Sequence, residues 1–271
     1  MLTLIPTPLG NINDITYRTI TTLQNSTLIL CEDTRVTKQL LKLLDERLDA
    51  NIGNKDIVSF HEHNGKDRLP QIANRLKTDI VAYLSDAGMP CISDPGQLLV
   101  EYCQKEGIEY DVLAGASVAP IIYAASGFES GKFTFYGFLP QKGRERADEL
   151  HKILANSYDT IVYEAPHRIV KLINEIVAID EDRELFVAKE LTKRYQKYYR
   201  VSAKEMKKKL EKDSTKGEWA VLIKGSCEDS TKIDLSQLKS LDIPPKAKAK
   251  VLAKFSDRSV KDWYEELVLG K

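Results

Sequence analysis

Short apolar runs alternate with helical patterns along the first half of the chain, and no other feature restricts the possible folds so strongly. The runs are "LTLI" (2–5), "TLIL" (27–30), "DIVSF" (56–60), "IVAYL" (80–84) and "YDVL" (110–113). Helical spacing follows them over 16–24, 36–44, 69–76, 98–106 and from Ser117 onward. Strands joined by helical crossovers run parallel, so the pattern predicts an α/β unit over 1–127, closed by the loop-like break "GFESGK" (127–132).

The rhythm restarts at "KFTFYGF" (132–138), followed by a helix over 144–154, "DTIVYEA" (159–165), a helix over 168–177 and "ELFVAKE" (184–190). Two more strands are expected at "YYRVS" (198–202) and "EWAVLIKG" (218–225). The helix between them opens on Ser202 and Glu205, a capping-box spacing. This predicts a second α/β domain over 128–225, carrying a mixed sheet. The run "SCEDSTK" (226–232) reads as a linker, and 233–271 as a small accessory region of short basic helices around "IPPKAKAKVLAKF" and "SVKDWYEELV".

With 271 residues, 42% of them hydrophobic, each domain can bury a core. Forty basic residues balance forty acidic ones, so a nucleic-acid partner has to be gripped by a local basic patch. Cys31, Cys91, Cys103 and Cys227 lack C-x-x-C spacing and are expected as packing residues in a reducing cytoplasm. The start of the chain shows no signal-peptide pattern, and the uncharged stretch 112–128 is short for a membrane span and broken by Gly, Ser and Pro. A cytoplasmic chain without membrane contact is therefore expected.

The chain has no G-x-G and no G-x-x-x-x-G-K-[ST], which excludes the common dinucleotide and P-loop fingerprints. Instead, polar or Gly/Pro loops lie just past each first-domain strand: "PTPLGN" (6–11), "CEDTR" (31–35), "HEHN" (61–64), "SDAGMPCISDPG" (85–96) and "AGAS" (114–117). Strand ends of one parallel sheet share an edge, and ligands bind there. The 85–96 loop is the most restricted, because Gly, Pro and Asp each shape the backbone in a different way. His61, Glu62 and His63 with Cys31 do not make a metal site, since alternate residues of an extended segment point to opposite sides. Singly, "EDTR" can be a helix cap and "AGAS" a plain connection; their convergence is what points to a site.

These motifs, together with "YGFLP", "YEAPHR", "VAKELTK" and "KGEWAVLI", occur in the order found in the tetrapyrrole methylase superfamily. Over about 2–225 the chain resembles the branch that methylates the ribose 2′-hydroxyl of a cytidine in the decoding region of bacterial 16S ribosomal RNA. The resemblance implies two α/β domains with S-adenosyl-L-methionine in the cleft between them, a homodimer, and 16S rRNA or the small ribosomal subunit as partner. It places Pro8, Gly10, Ser85, Asp86, Ala87, Gly88, Ser117 and Val118 at the cofactor from the first domain. Glu164, Leu191, Gly217, Glu218 and Ala220 contribute from the second. Met89, Cys91 and Ala114 depart from the branch pattern, which has Thr, Gly and Pro there.

Methyl transfer to a ribose hydroxyl needs an oxygen brought in line with the methyl group and help in removing its proton. Candidate groups are Glu32, Asp33, His61, Glu62, His167, Lys189 and Glu190, and the sequence does not choose among them. Arg35, Arg168 or Lys189 can hold phosphate or a forming alkoxide; the alternative is a buried ion-pair network, for instance Glu190 with Arg168. The segment 189–212 carries ten Lys or Arg against three Glu, with tyrosines interleaved. Lys193, Arg194, Tyr195, Lys197 and Tyr198 are its expected RNA contacts. A tetrapyrrole-type small-molecule methylase and an inactive RNA-binding protein are the rival readings.

Overall fold

The computed structural model describes residues 1–92, 96–226, 238–239, 241–256 and 258–269. Ser93, Asp94 and Pro95 of the 85–96 loop, Cys227 with the rest of the expected linker, and the expected start of the accessory region at 233 lie outside the described residues.

The first five strands are β1 (Leu2–Ile5), β2 (Leu28–Cys31), β3 (Asp56–Ser59), β4 (Val81–Leu84) and β5 (Tyr110–Val112). They form one parallel sheet in the order β3-β2-β4-β1-β5. Every residue of β1, β2 and β4 is buried, as strands covered on both faces must be. Alternate residues divide between two cores. Leu2, Leu4, Leu30 and Tyr83 join Leu76 and Leu99 of α3 (Gly65–Thr78) and α4 (Gly96–Glu106). Ile5, Ile29, Ala82 and Leu84 join Leu23 and Leu44 of α1 (Tyr17–Asn25) and α2 (Thr34–Leu48). Cys31 and Cys103 are buried in these cores, and burial pushes the Cys31 thiol up to about 11, which leaves it unreactive.

The second sheet has the order β6-β7-β10-β8-β9, from β6 (Phe133–Phe138), β7 (Asp159–Glu164), β8 (Glu184–Lys189), β9 (Lys197–Ser202) and β10 (Trp219–Ile223). It is mixed: β6 and β7 are parallel and the other pairs antiparallel. One face is covered by α6 (Gly143–Ala155), α7 (Ile169–Ile179) and α8 (Ala203–Leu210). The Ser202–Glu205 capping box is formed at the start of α8. The other face meets α5 (Val118–Ser126), whose Ala119 and Ile122 pack on Phe186, Ala188, Ala220 and Leu222.

That last contact corrects the sequence reading, which kept α5 inside the first unit. Its segment "VAPIIYAAS" contains no charged residue, so hydrophobic periodicity does not say which sheet it covers. Chain order put it with the strands before it, whereas packing gives it to the sheet formed after it.

The C-terminal helices Pro245–Lys254 and Val260–Leu269 pack on each other around Ala249, Leu252 and Trp263. Among the described residues no helix is long and apolar enough to cross a membrane.

Candidate functional site

The loop after β4 is fastened to the loop after β1. Thr7 and Gly88 exchange backbone hydrogen bonds of 3.0 Å in both directions, Thr7 Oγ1 donates to the Ser85 carbonyl at 3.2 Å, and Ser85 Oγ donates to the Gly88 carbonyl at 2.7 Å. Gly88 has φ +80°, a conformation that glycine adopts without steric cost. Cys91 adopts φ +65° at one of the positions where the branch pattern has Gly.

The tips of β2 and β4 are tied by their acidic residues. The Asp33 amide donates to Asp86 Oδ1 and the Asp86 amide to Glu32 Oε1, each at 3.2 Å. Burial pushes the Asp86 carboxyl up, the Asp33 amide opposes this, and the Asp33 carboxylate adds to it. The Arg35 guanidinium, at 2.7 Å, and the Arg35 amide, at 2.8 Å, hold the Asp33 carboxyl down to about 2. Asp33 is therefore a weak proton acceptor at neutral pH.

On the second domain, Glu164 is fully buried between Arg146 at 3.0 Å and Arg168 at 2.7 Å, and it accepts the Ala165 amide at 2.9 Å. Arg146 reaches on to Glu175 at 2.8 Å and the Pro140 carbonyl at 3.0 Å. Arg168 thus pairs with Glu164 and not with Glu190, a correction that follows from its place one helical turn past the end of β7. Its side chain is 15% exposed.

Glu190 Oε1 accepts the Glu218 amide at 2.8 Å and pairs with Lys193 at 3.3 Å. The Glu218 amide, with Lys193 and Lys189 adding their charge, lowers the Glu190 carboxyl below its ordinary range. Lys189 is buried; it donates to the Ser214 carbonyl and lies 5.0 Å over the Trp219 ring.

Between the two domains lies a cleft of about 410 Å³, a size that suits a nucleoside-containing ligand. Its walls contain Ala87, Gly88, Ser117 and Val118 from the first-domain loops, and Glu164, Leu191, Glu218 and Ala220 from the second domain. Pro8, Gly10, Ser85, Asp86 and Gly217 do not line it; Ser85 spends its hydroxyl inside the turn, and Gly217 packs against the Glu190 side chain.

Leu9, Met89, Ile92, Phe138, Tyr163, Ala165, Pro166, Ala188 and Trp219 complete the walls. Met89 occupies one of the positions that depart from the branch pattern. Tyr163, Ala165 and Pro166 belong to the "YEAPHR" loop and Trp219 to the 217–220 stretch expected at the cofactor, whereas Leu9, Ile92, Phe138 and Ala188 are not named singly as site residues in the sequence reading. An apolar residue at a strand end reads as core, so the available signal was membership of a quoted motif: Leu9 in "PTPLGN", Ile92 in "SDAGMPCISDPG", Phe138 in "YGFLP", Tyr163, Ala165 and Pro166 in "YEAPHR", Ala188 in "VAKELTK" and Trp219 in "KGEWAVLI". The wall is largely apolar and aromatic, which fits a ligand with a planar apolar body; of its two acidic residues, Glu164 is buried between Arg146 and Arg168 and Glu218 pairs with Lys193.

His61, Glu62 and His167 lie outside the cleft wall. The loop carrying His61 and Glu62 follows β3, two strands from β4 in the sheet; the His61 and His63 rings meet edge-on at 6.0 Å. Among the described residues no group of three His, Cys, Asp or Glu side chains is placed to hold a metal.

The basic segment divides. Tyr195, 71% exposed, and Tyr198 project into solvent, with the Arg194 guanidinium 5.5 Å from the Tyr195 ring. Lys197 lies beside Asp213 at 3.4 Å. Lys193 is drawn away from this surface toward Glu190 and Glu218.

The chain matches the family Tetrapyrrole (Corrin/Porphyrin) Methylases over residues 1–207. Ribosomal RNA small subunit methyltransferase I of Campylobacter fetus is 42% identical over 270 residues, covering 99% of this chain and 100% of that protein. The protein of the same name from Thermotoga maritima is 40% identical, covering 83% of this chain and 98% of that one. In fold, the chain is similar to diphthine synthase (TM-score 0.60, 15% identity, 98% and 99% covered). It is also similar to uroporphyrin-III C-methyl transferase from Thermus thermophilus complexed with S-adenyl homocysteine (TM-score 0.55, 12% identity, 82% and 96% covered).

Proposed function

Because the chain belongs to the tetrapyrrole methylase family, we propose that it uses S-adenosyl-L-methionine to methylate small-subunit ribosomal RNA, at the ribose 2′-hydroxyl of a cytidine in the decoding region. The observation that carries this reading is the likeness, along its full length, to the Campylobacter fetus rRNA methyltransferase. The cleft supports the cofactor: it is of suitable size, lies between the two domains, and has largely apolar, aromatic walls. The reading includes a cytoplasmic homodimer.

The cofactor supplies an electrophilic methyl group on a sulfonium. The protein's task is to hold that group against a ribose hydroxyl, keep water out and accept a proton. The Ser85–Gly88 turn and the start of α5 form one wall, and Leu191, Trp219 and Ala220 the other. Glu164, held between two arginines, stiffens the "YEAPHR" side of the cleft. Asp33, Glu190 and Lys189 are committed to Arg35, to Lys193 with the Glu218 amide, and to Ser214 respectively. The candidates that remain for taking the proton are His61 and Glu62 from the first domain and His167 from the second, with Glu32, which already accepts the Asp86 amide, beside them.

The deciding experiment is transfer of labelled methyl to deproteinised small-subunit RNA and to intact subunits, followed by nucleoside analysis. Label in 2′-O-methylcytidine is expected. Label in neither substrate, or only in another nucleoside, overturns the reading.

RNA docking is assigned to the exposed Arg194–Tyr198 surface. Replacing Arg194 and Lys197 by Ala is expected to make the plot of log affinity against log salt shallower by about 0.7 per lost phosphate contact. Tyr195→Ala is expected to cost about 1–3 kcal/mol of RNA affinity at nearly constant slope, the mark of a stacked base. Filter binding across a salt series measures both, and unchanged values remove this surface from the RNA site.

A further inference from the structure

Lys193 reads in the sequence as one more phosphate-binding cation, yet its stem lies between the two domains. After β8 the chain turns through Glu190 and Thr192, both non-glycine residues of positive φ, +53° and +63°. Such a backbone persists only where its surroundings hold it. Here the Glu190 amide donates to the Glu218 carbonyl at 2.9 Å, and the Lys193 amide to the Glu190 carbonyl at 3.0 Å. Gly217, at φ +108°, lies so close that a Cβ there would come within 2.7 Å of Glu190 Cγ. Leu191, at the centre of the turn, lines the cleft.

The far side of this turn rests on the first domain. A Cβ on Gly10 would come within 2.2 Å of Lys193 Cγ and 3.2 Å of Thr192 Oγ1, and that buried hydroxyl has no hydrogen-bond partner. The Lys193 ammonium is anchored on its own domain by Glu218 at 3.0 Å and Glu190 at 3.3 Å. Gly10 follows Leu9, and Leu9 and Glu218 both line the cleft. A shift at the Gly10–Lys193 contact therefore moves both walls relative to each other.

We propose that Lys193, seated on Gly10, is an interdomain latch that sets how far the cleft closes. Lys193 is then a positioning residue for the cofactor and not a phosphate contact. The proposal rests on the reading that the cleft holds S-adenosylmethionine.

The test uses the full-length protein and its Gly10→Ala, Lys193→Ala, Lys193→Met and Gly10→Ala/Lys193→Ala variants. Calorimetry with S-adenosylmethionine, the salt dependence of RNA binding and the melting temperature without ligand are read for each. Gly10→Ala and Lys193→Ala should each weaken cofactor binding by about tenfold, within the range of coupling between touching residues, and leave the salt slope unchanged. Lys193→Met, which keeps the stem, should lose less.

In the double variant the shortened side chain makes room for the new methyl group, so affinity and melting temperature should exceed the additive expectation. Additive losses overturn the latch. So does a Lys193→Ala variant whose salt slope flattens while cofactor affinity holds. Failure of the wild-type protein to bind S-adenosylmethionine overturns the cofactor reading instead, and the latch is then judged on non-additivity of the ligand-free melting temperatures.

Discussion

Gly88→Val is expected to abolish S-adenosylmethionine binding while the protein stays folded. Gly88 sits at φ +80° and exchanges both backbone hydrogen bonds with Thr7. A left-handed conformation costs an ordinary L-residue about 1–2 kcal/mol, and a β-branched residue is the least suited to it. A Cβ at Gly88 would come within 3.0 Å of Leu9 Cδ2, and Leu9 and Gly88 both line the cleft. Valine therefore distorts the turn that shapes the pocket and also crowds the pocket wall. The sheet beneath is untouched, since Tyr83 and Leu84 remain packed in their separate cores.

Calorimetry should show at least about a hundredfold loss, equivalent to about 2.7 kcal/mol, and Gly88→Ala a smaller one. Unchanged affinity in a folded Gly88→Val protein would remove this turn from the cofactor site.

Arg146→Met should produce the largest loss of stability among the substitutions considered. Arg146 is 1% exposed and joins Glu164, Glu175 and the Pro140 carbonyl. Methionine fills part of the space but leaves the fully buried Glu164 with Arg168 as its only ion-pair partner among the described residues. Breaking one arm of a buried charge network costs about 3–5 kcal/mol, whereas replacing both partners is far milder. The corresponding fall in melting temperature is roughly 6–20 °C. Adding Glu164→Gln should recover part of it. Scanning calorimetry of the single and double variants measures this, and a single-variant loss below about 1 kcal/mol would show that the network relaxes around the missing guanidinium.

The strands were legible because their apolar runs are short, bounded and separated by helical periodicity. The parallel first sheet and the mixed second one follow from that pattern, and Ser202 with Glu205 marked a helix start that the fold uses. The loops past β1, β2, β3 and β4 were legible as a group, because one parallel sheet forces its strand ends onto a common edge. Individual site residues were less so. Leu9, Tyr163 and Ala188 look like core in any sequence window, and only the domain that faces each of them across the cleft makes them part of a wall.

By itself, then, the sequence determined the element order, the type of each sheet and the family, since local periodicity and ordered motifs are properties of neighbours along the chain. Only the tertiary structure decided that α5 covers the second sheet, that Arg146 and Arg168 share Glu164, and that Lys193 lies on Gly10. Those choices depend on distances between residues remote in the chain. A lysine or an apolar helix takes its role from whichever surface the completed fold brings against it.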